Sequence, residues 1–229
     1  MSQSKKSIWV FADYRNYFQN RVTLQLLAKA NDLATGMNAE VCAVVFGHET
    51  DEYVAEYIAH GAQKVLVVKH PSLNRYSVEK FTFLMEKLAG DQGPEIILIG
   101  ATSFGREFAP RVAKRLGTGL TADCIGLEMT SEGHLLQIAP SFGGNLIAEI
   151  ITPDHRPQMA TVRPGTFQEL PHDNTRCGDI VPIPLPKKIP PDRLRLVAYE
   201  RRSDRDQRLE EAKIVVCGGR GMGSKLKFK

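Results

Sequence analysis

Four short apolar runs, spaced by segments of helical periodicity, constrain this chain more than any other feature. They are Ile8–Ala12, Glu40–Phe46, Lys64–Val68 and Glu95–Gly100. Few polar residues interrupt them, so they lack the alternation of a strand with one wet face. Runs of this kind suit strands covered on both faces. The intervening segments read as helices. One carries Val22, Leu24, Leu26, Leu27, Ala30 and Leu33 and stops near Gly36; a second spans Asp51–His60. A third spans Val78–Leu88, with Ser77 as N-cap and Gly90 as stop, and a fourth spans Phe104–Leu116 and stops at Gly117. Pro110 inside the fourth predicts a kink or a later start. Strict alternation with short connections predicts right-handed βαβ units. The fold class is therefore α/β, a mostly parallel sheet flanked by helices, with any ligand at the carboxyl ends of the strands.

After Gly119 the rhythm changes. Thr121–Met129, Leu135–Ala139, Leu146–Thr152 and Gln158–Val162 follow in quick succession, separated by Gly143-Gly144-Asn145 and Pro153-Asp154-His155. They predict either added strands on the same sheet or a small antiparallel extension. Residues 163–193 are rich in proline and read as extended. Arg195–Ala198 could form one more strand, Ser203–Ala212 has helical character, and 213–217 reads as a last strand leading into a glycine turn. This gives an α/β domain over 1–190, a charged linker over 191–212 and the opening of a further unit over 213–229.

Composition excludes several classes. The net charge of +4 over 229 residues is mild. The one dense basic stretch, Arg193–Arg208, is interleaved with Glu200, Asp204 and Asp206, so it reads as a solvated connector rather than a nucleic-acid surface. No run reaches the ~20 apolar residues of a membrane helix. The N-terminus lacks the long apolar region of a signal peptide, so a cytoplasmic location is expected. The four cysteines, Cys42, Cys124, Cys177 and Cys217, form no CxxC pair, and the six histidines show no metal-ligand spacing. Three of the cysteines lie in apolar runs, as buried reduced thiols would.

Several motifs could carry chemistry. Gly218–Gly223 (GGRGMG) follows a strand-like run, and such glycines let backbone amides approach a phosphate or a flavin. Arg220 would add the charge that a diphosphate or a reduced flavin wants. The spacing is not G-x-G-x-x-G, so a plain glycine turn is the competing reading. Gly100–Arg106 also opens a helix. An anion could sit on its amides, or Thr102 or Ser103 could simply cap the helix. Ser103 lacks the frame of a nucleophile elbow. Cys124 lacks a base that the sequence brings near, so it reads as structural. Thr152–Pro157 is either a rigid turn or a contact for a partner.

Three stretches together carry a resemblance: FGREFAPRVAKRLGTGLTADC over Phe104–Cys124, PSFGGN and ITPDHRPQMATVRPG within Gln137–Gly165, and IVVCGGRG over Ile214–Gly221. In order and wording they resemble the alpha subunit of electron transfer flavoproteins. The likeness extends from about residue 6 to the last residue. It implies a Rossmann-like N-terminal domain, the opening of a flavin domain, and pairing with a homologous beta subunit. It implies FAD as cofactor, held mostly by the second domain, with Arg220 beside the isoalloxazine or its diphosphate. It implies electron donors such as acyl-CoA dehydrogenases of fatty acid β-oxidation, and some anaerobic members bifurcate electrons through a second flavin. In the family more than a hundred residues follow the GGRG turn, whereas here eight follow Gly221. One strand and a turn cannot bury a flavin. The resemblance therefore leaves two expectations: an electron-carrier subunit, or a docking domain that binds the beta subunit without flavin of its own. Uncovered strand edges and apolar surface are expected in either case.

Overall fold

The computed structural model describes residues 6–14, 21–194, 196–198 and 214–228. The chain divides into two compact units, Met1–Asp192 and Arg193–Lys229. In the first unit, strands β1 (Ser7–Phe11), β2 (Glu40–Gly47), β3 (Lys64–Lys69) and β4 (Ile96–Gly100) alternate with helices α1 (Arg21–Met37), α2 (Asp51–Ala59), α3 (Val78–Gln92) and α4 (Ser103–Leu116). β5 (Leu120–Cys124), β6 (Gly126–Met129), β7 (Leu135–Ser141), β8 (Leu146–Ile150), β9 (Gln158–Val162) and β10 (Asp179–Pro182) follow.

The main sheet runs β10-β3-β2-β1-β4-β9-β5, and every pairing in it is parallel. The apolar runs are explained by what lies on each face. On β1, Ile8 and Val10 join the core beneath α1 and α2, while Trp9 and Phe11 join the core beneath α3 and α4. Both sets are buried, so the positions from Ile8 to Phe11 leave no wet face for a polar side chain. The second core is aromatic. Phe11 lies 4.6 Å from Phe108 and 5.4 Å from Phe46, ring centre to ring centre, within the range where tilted and edge contacts add to burial.

Several boundaries differ from expectation. α3 passes through Gly90 and ends at Gly93, whose φ of +61° provides the left-handed turn that stops a helix. Gly90 has open space around its Cα, so nothing forces a stop there. Ser77 occupies the N-cap position without making the side-chain cap bond. α4 begins at Ser103 and continues through Pro110. The run Thr121–Met129 is two strands, not one. β5 pairs in parallel with β9, while β6 joins a separate antiparallel sheet, β6-β7-β8. Both expectations for this region are therefore realised, strands added to the main sheet and an antiparallel extension. The proline-rich stretch contributes β10, which pairs with β3 from Asp179↔Lys64 to Pro182↔Val67. Its proline sits on an edge strand, where the lost N–H costs little.

In the second unit, residues 214–219 adopt no strand, contrary to expectation. Ile214, Val215 and Val216 are exposed, and a strand without a hydrogen-bonded neighbour has nothing to hold it. Residues 196–198 are likewise not a strand, and the helix expected over Ser203–Ala212 lies outside the described residues.

Candidate functional site

β1 lies between β2 and β4, so the chain leaves it in opposite directions on the two sides. That reversal opens the crevice where parallel α/β sheets bind ligands. Here protein side chains fill it. Thr102, at the end of β4, accepts a hydrogen bond from the Gly105 N–H at 3.1 Å and so caps α4. The same hydroxyl donates to the carboxylate of Asp13, just beyond β1. The Asp13 N–H in turn donates to Thr23 Oγ1 at 3.1 Å. The Tyr14 hydroxyl donates to the Phe46 carbonyl. A Cβ built on Gly47 would lie 1.8 Å from the Tyr14 hydroxyl oxygen, and one built on Gly100 would lie 2.4 Å from Val22 Cγ1. The amide that an anion would use is thus taken by the cap, and the Asp13 carboxylate adjoins it. The 100–106 turn is a helix cap.

One step along the same edge, three motif stretches converge. Asp123 interrupts the β5–β9 register between Thr121 and Cys124 and adopts φ +58°, a left-handed conformation that Asp tolerates better than most residues. Its N–H donates to Thr161 Oγ1 at 2.9 Å. Arg163 Nη2 donates to its carboxylate at 2.6 Å, and Arg106 Nη2 lies 3.6 Å away. The hydrogen bond from Arg163 holds the Asp123 carboxyl below the usual carboxylate range, against the opposing effect of burial. Two exposed guanidiniums around one carboxylate leave a net positive rim. Sequence reasoning quoted all three residues in the motif but did not join them, because about 40 residues of chain separate Asp123 from Arg163.

The neighbouring thiol is inert. Cys124 is buried, and desolvation, helped by the charge of Asp123, pushes its pKa up to about 12. Cys42 is also buried, whereas Cys177 and Cys217 are exposed; Cys217 departs from the expectation because its apolar run forms no strand. The 152–157 loop is a built turn. Arg156 donates to Glu95 and to the carbonyls of Thr152, Pro153 and His155, which leaves Asp154 and His155 exposed.

Arg220 opens a single 3-10 turn, Arg220–Met222, preceded by Gly219 and closed by Gly223 at φ +69°. Every described residue from Ile214 to Gly221 is exposed. A flavin site needs walls that cover most of the ligand. The turn presents an exposed arginine but no walls, so the described residues of this unit do not by themselves fit an isoalloxazine. Among the described residues there is no group of three or more His, Cys, Asp or Glu able to hold a metal ion, and no helix is long and apolar enough to cross a membrane.

Sheet order and a plugged switch point define a Rossmann-like α/β domain, with Arg106, Asp123 and Arg163 at its carboxyl edge. The family model for the electron transfer flavoprotein domain matches residues 8–188. The chain belongs to the electron transfer flavoprotein family, on the alpha-subunit side. It is 42% identical to the electron transfer flavoprotein subunit alpha of Thermoanaerobacterium thermosaccharolyticum, over 95% of this chain and 66% of that protein. It is 40% identical to the protein of the same name from Clostridium acetobutylicum, over 98% of this chain and 68% of that one. It is 35% identical to the lactate dehydrogenase (NAD(+),ferredoxin) subunit LctC of Acetobacterium woodii, over 95% of this chain and 52% of that protein. The chain thus spans about two thirds or less of these relatives' lengths.

Proposed function

We propose that this chain serves as the alpha-type subunit of an electron-transferring heterodimer, paired with a beta-type subunit in the cytoplasm. Electrons from flavin dehydrogenases, such as acyl-CoA dehydrogenases, would pass through FAD bound by the assembled protein. When bound, the flavin supplies the redox chemistry, and the chain supplies position and charge. In this reading residues 1–190 are the α/β domain that pairs with the beta-type subunit, 191–212 are the linker, and the turn bearing Arg220 is the element of this chain assigned to the flavin. The match over residues 8–188 carries this reading.

The exposed Arg220 turn favours a second reading: a docking domain that binds the beta subunit and holds no flavin of its own. The two are separated by co-expressing the chain with its beta partner and recording the visible spectrum of the purified pair. About one FAD beyond that of beta alone supports the electron-transfer role. A stable, colourless pair supports the docking role.

A further inference from the structure

From Val181 to Leu185 the chain alternates apolar residues with prolines. Val181, Ile183 and Leu185 turn inward and pack against the aromatic core, while Pro182 and Pro184 are exposed. Backbone pairing with β3 ends at the Ile183 N–H, which donates to the Val67 carbonyl at 2.8 Å. Beyond it, Pro184, Pro186, Pro190 and Pro191 have no N–H to give. Among the described residues, 184–192 make no backbone hydrogen bond. A segment held this way opens before the domain that carries it.

Its far end is fastened by one ion pair. Asp192 closes the first compact unit, and its carboxylate accepts a hydrogen bond from Lys80 Nζ, in the first turn of α3, at 2.5 Å. The Lys80 side chain is 8% exposed and that of Asp192 47%. Lys80 also donates to the Ser72 carbonyl, at a longer 3.4 Å. A buried ammonium is costly unless it is paired, so this corner of the domain needs a carboxylate. The chain supplies it from the residue just before the second unit. When the segment lifts, water reaches both charges, so opening strands neither of them in the core.

We propose that residues 184–192 form a releasable strap, latched by Asp192 on Lys80, and that this latch sets the length of the tether to the second unit. With the latch closed, the tether begins at Arg193. With it open, the tether begins at Pro184 and gains about 30 Å of extended chain. The device lies wholly within the first unit and works whichever partner the chain takes.

Trypsin reads the state of the strap. Lys187 and Lys188 are exposed, but a protease cuts a segment of this kind only once it has lifted away, at a rate that follows the open population. In native digestion of the full chain followed by mass spectrometry, Lys80→Met is expected to speed cleavage after Lys187 and Lys188 at least ~10-fold. Cleavage elsewhere in the first unit is expected to keep its wild-type rate. Asp192→Ala removes the pair from its exposed end and is expected to give the same acceleration, so the test stands even where Lys80→Met fails to fold. The double variant is expected to be no faster than the faster single variant, since the two residues act as one unit. Arg115→Met, which removes the exposed pair between Arg115 on α4 and Glu86 on α3, is expected to leave both strap sites at the wild-type rate. Strap cleavage that stays at the wild-type rate without the pair, or that rises no more than cleavage throughout the first unit, overturns the latch.

Discussion

The Thr102 hydroxyl donates to the Asp13 carboxylate across the carboxyl end of the sheet, tying the start of α4 to the end of β1. Asp13 is almost fully buried, and the same Thr102 oxygen also caps α4 through Gly105. Thr102→Val keeps the shape and removes both bonds. A lost cap costs about 1 kcal/mol, and a weakened partner for a buried acceptor adds about 1–2 kcal/mol. Urea unfolding is expected to show a loss of about 2–3 kcal/mol for Thr102→Val, with Thr102→Ser staying within about 0.5 kcal/mol of wild type. A loss in Thr102→Ser with none in Thr102→Val would show that the methyl packing matters and the hydroxyl does not.

Two glycines serve α4 for different reasons, Gly105 in its first turn and Gly117 as its C-cap, and substitution separates them. A Cβ on Gly105 would lie 1.8 Å from the Gly100 carbonyl oxygen, a backbone atom that cannot yield without moving helix off strand. Gly117 has open space but φ +68°. Gly105→Ala is expected to cost about 3 kcal/mol or more, as overpacking against backbone does at its upper end. Gly117→Ala is expected to cost about 1–2 kcal/mol, the strain of a left-handed residue bearing a Cβ. Thermal unfolding of both checks the order; a milder Gly105→Ala would mean that α4 rests less tightly on β4.

The cysteines divide by exposure. Cys177 and Cys217 are exposed; Cys42 and Cys124 are buried, and the Cys124 thiol is pushed up to about 12. Thiolate is the reactive form, so iodoacetamide at pH 8 is expected to label Cys177 and Cys217 promptly and the other two only after unfolding. Mass spectrometry of the native and denatured protein reads this directly. Rapid native labelling of Cys124 would show that the β5–β9 seam opens.

Much of the fold was legible because β1 to β4 are buried on both faces and announce themselves as apolar runs. Less was legible where topology, rather than local pattern, decides. β10 reads only as part of an extended, proline-rich stretch because Asp179-Ile180-Val181-Pro182 has no periodicity, and only the free edge of β3 makes it a strand. Ile214–Val216 reads as a strand, yet apolar residues without a neighbour stay uncovered. The candidate site was less legible: the quoted motifs contain Arg106, Asp123 and Arg163 but mark none of them. Their meeting depends on β5 and β9 lying side by side, a non-local pairing that no short window contains.

The same cluster predicts a dependence on pH. The hydrogen bond from Arg163 lowers the Asp123 pKa below its unfolded value, near 3.9. A group with a depressed folded pKa stabilises the fold fully above its unfolded value and loses that contribution as pH falls through its folded one. The Arg163→Gln variant should therefore be less stable than wild type at pH 6, and the gap should close below about pH 4. Both proteins should keep some acid sensitivity, since Asp173 and Asp192 are also held low, by Thr175 and Lys80 respectively. Asp123→Asn, which tolerates the left-handed backbone, should match Arg163→Gln at pH 6 if the ion pair is what matters. Urea midpoints of the three proteins between pH 6 and pH 3 provide the measurement. A gap that stays constant with pH would mean that Arg163 holds β5 to β9 by packing and by its backbone N–H to the Cys124 carbonyl, with its charge making no contribution.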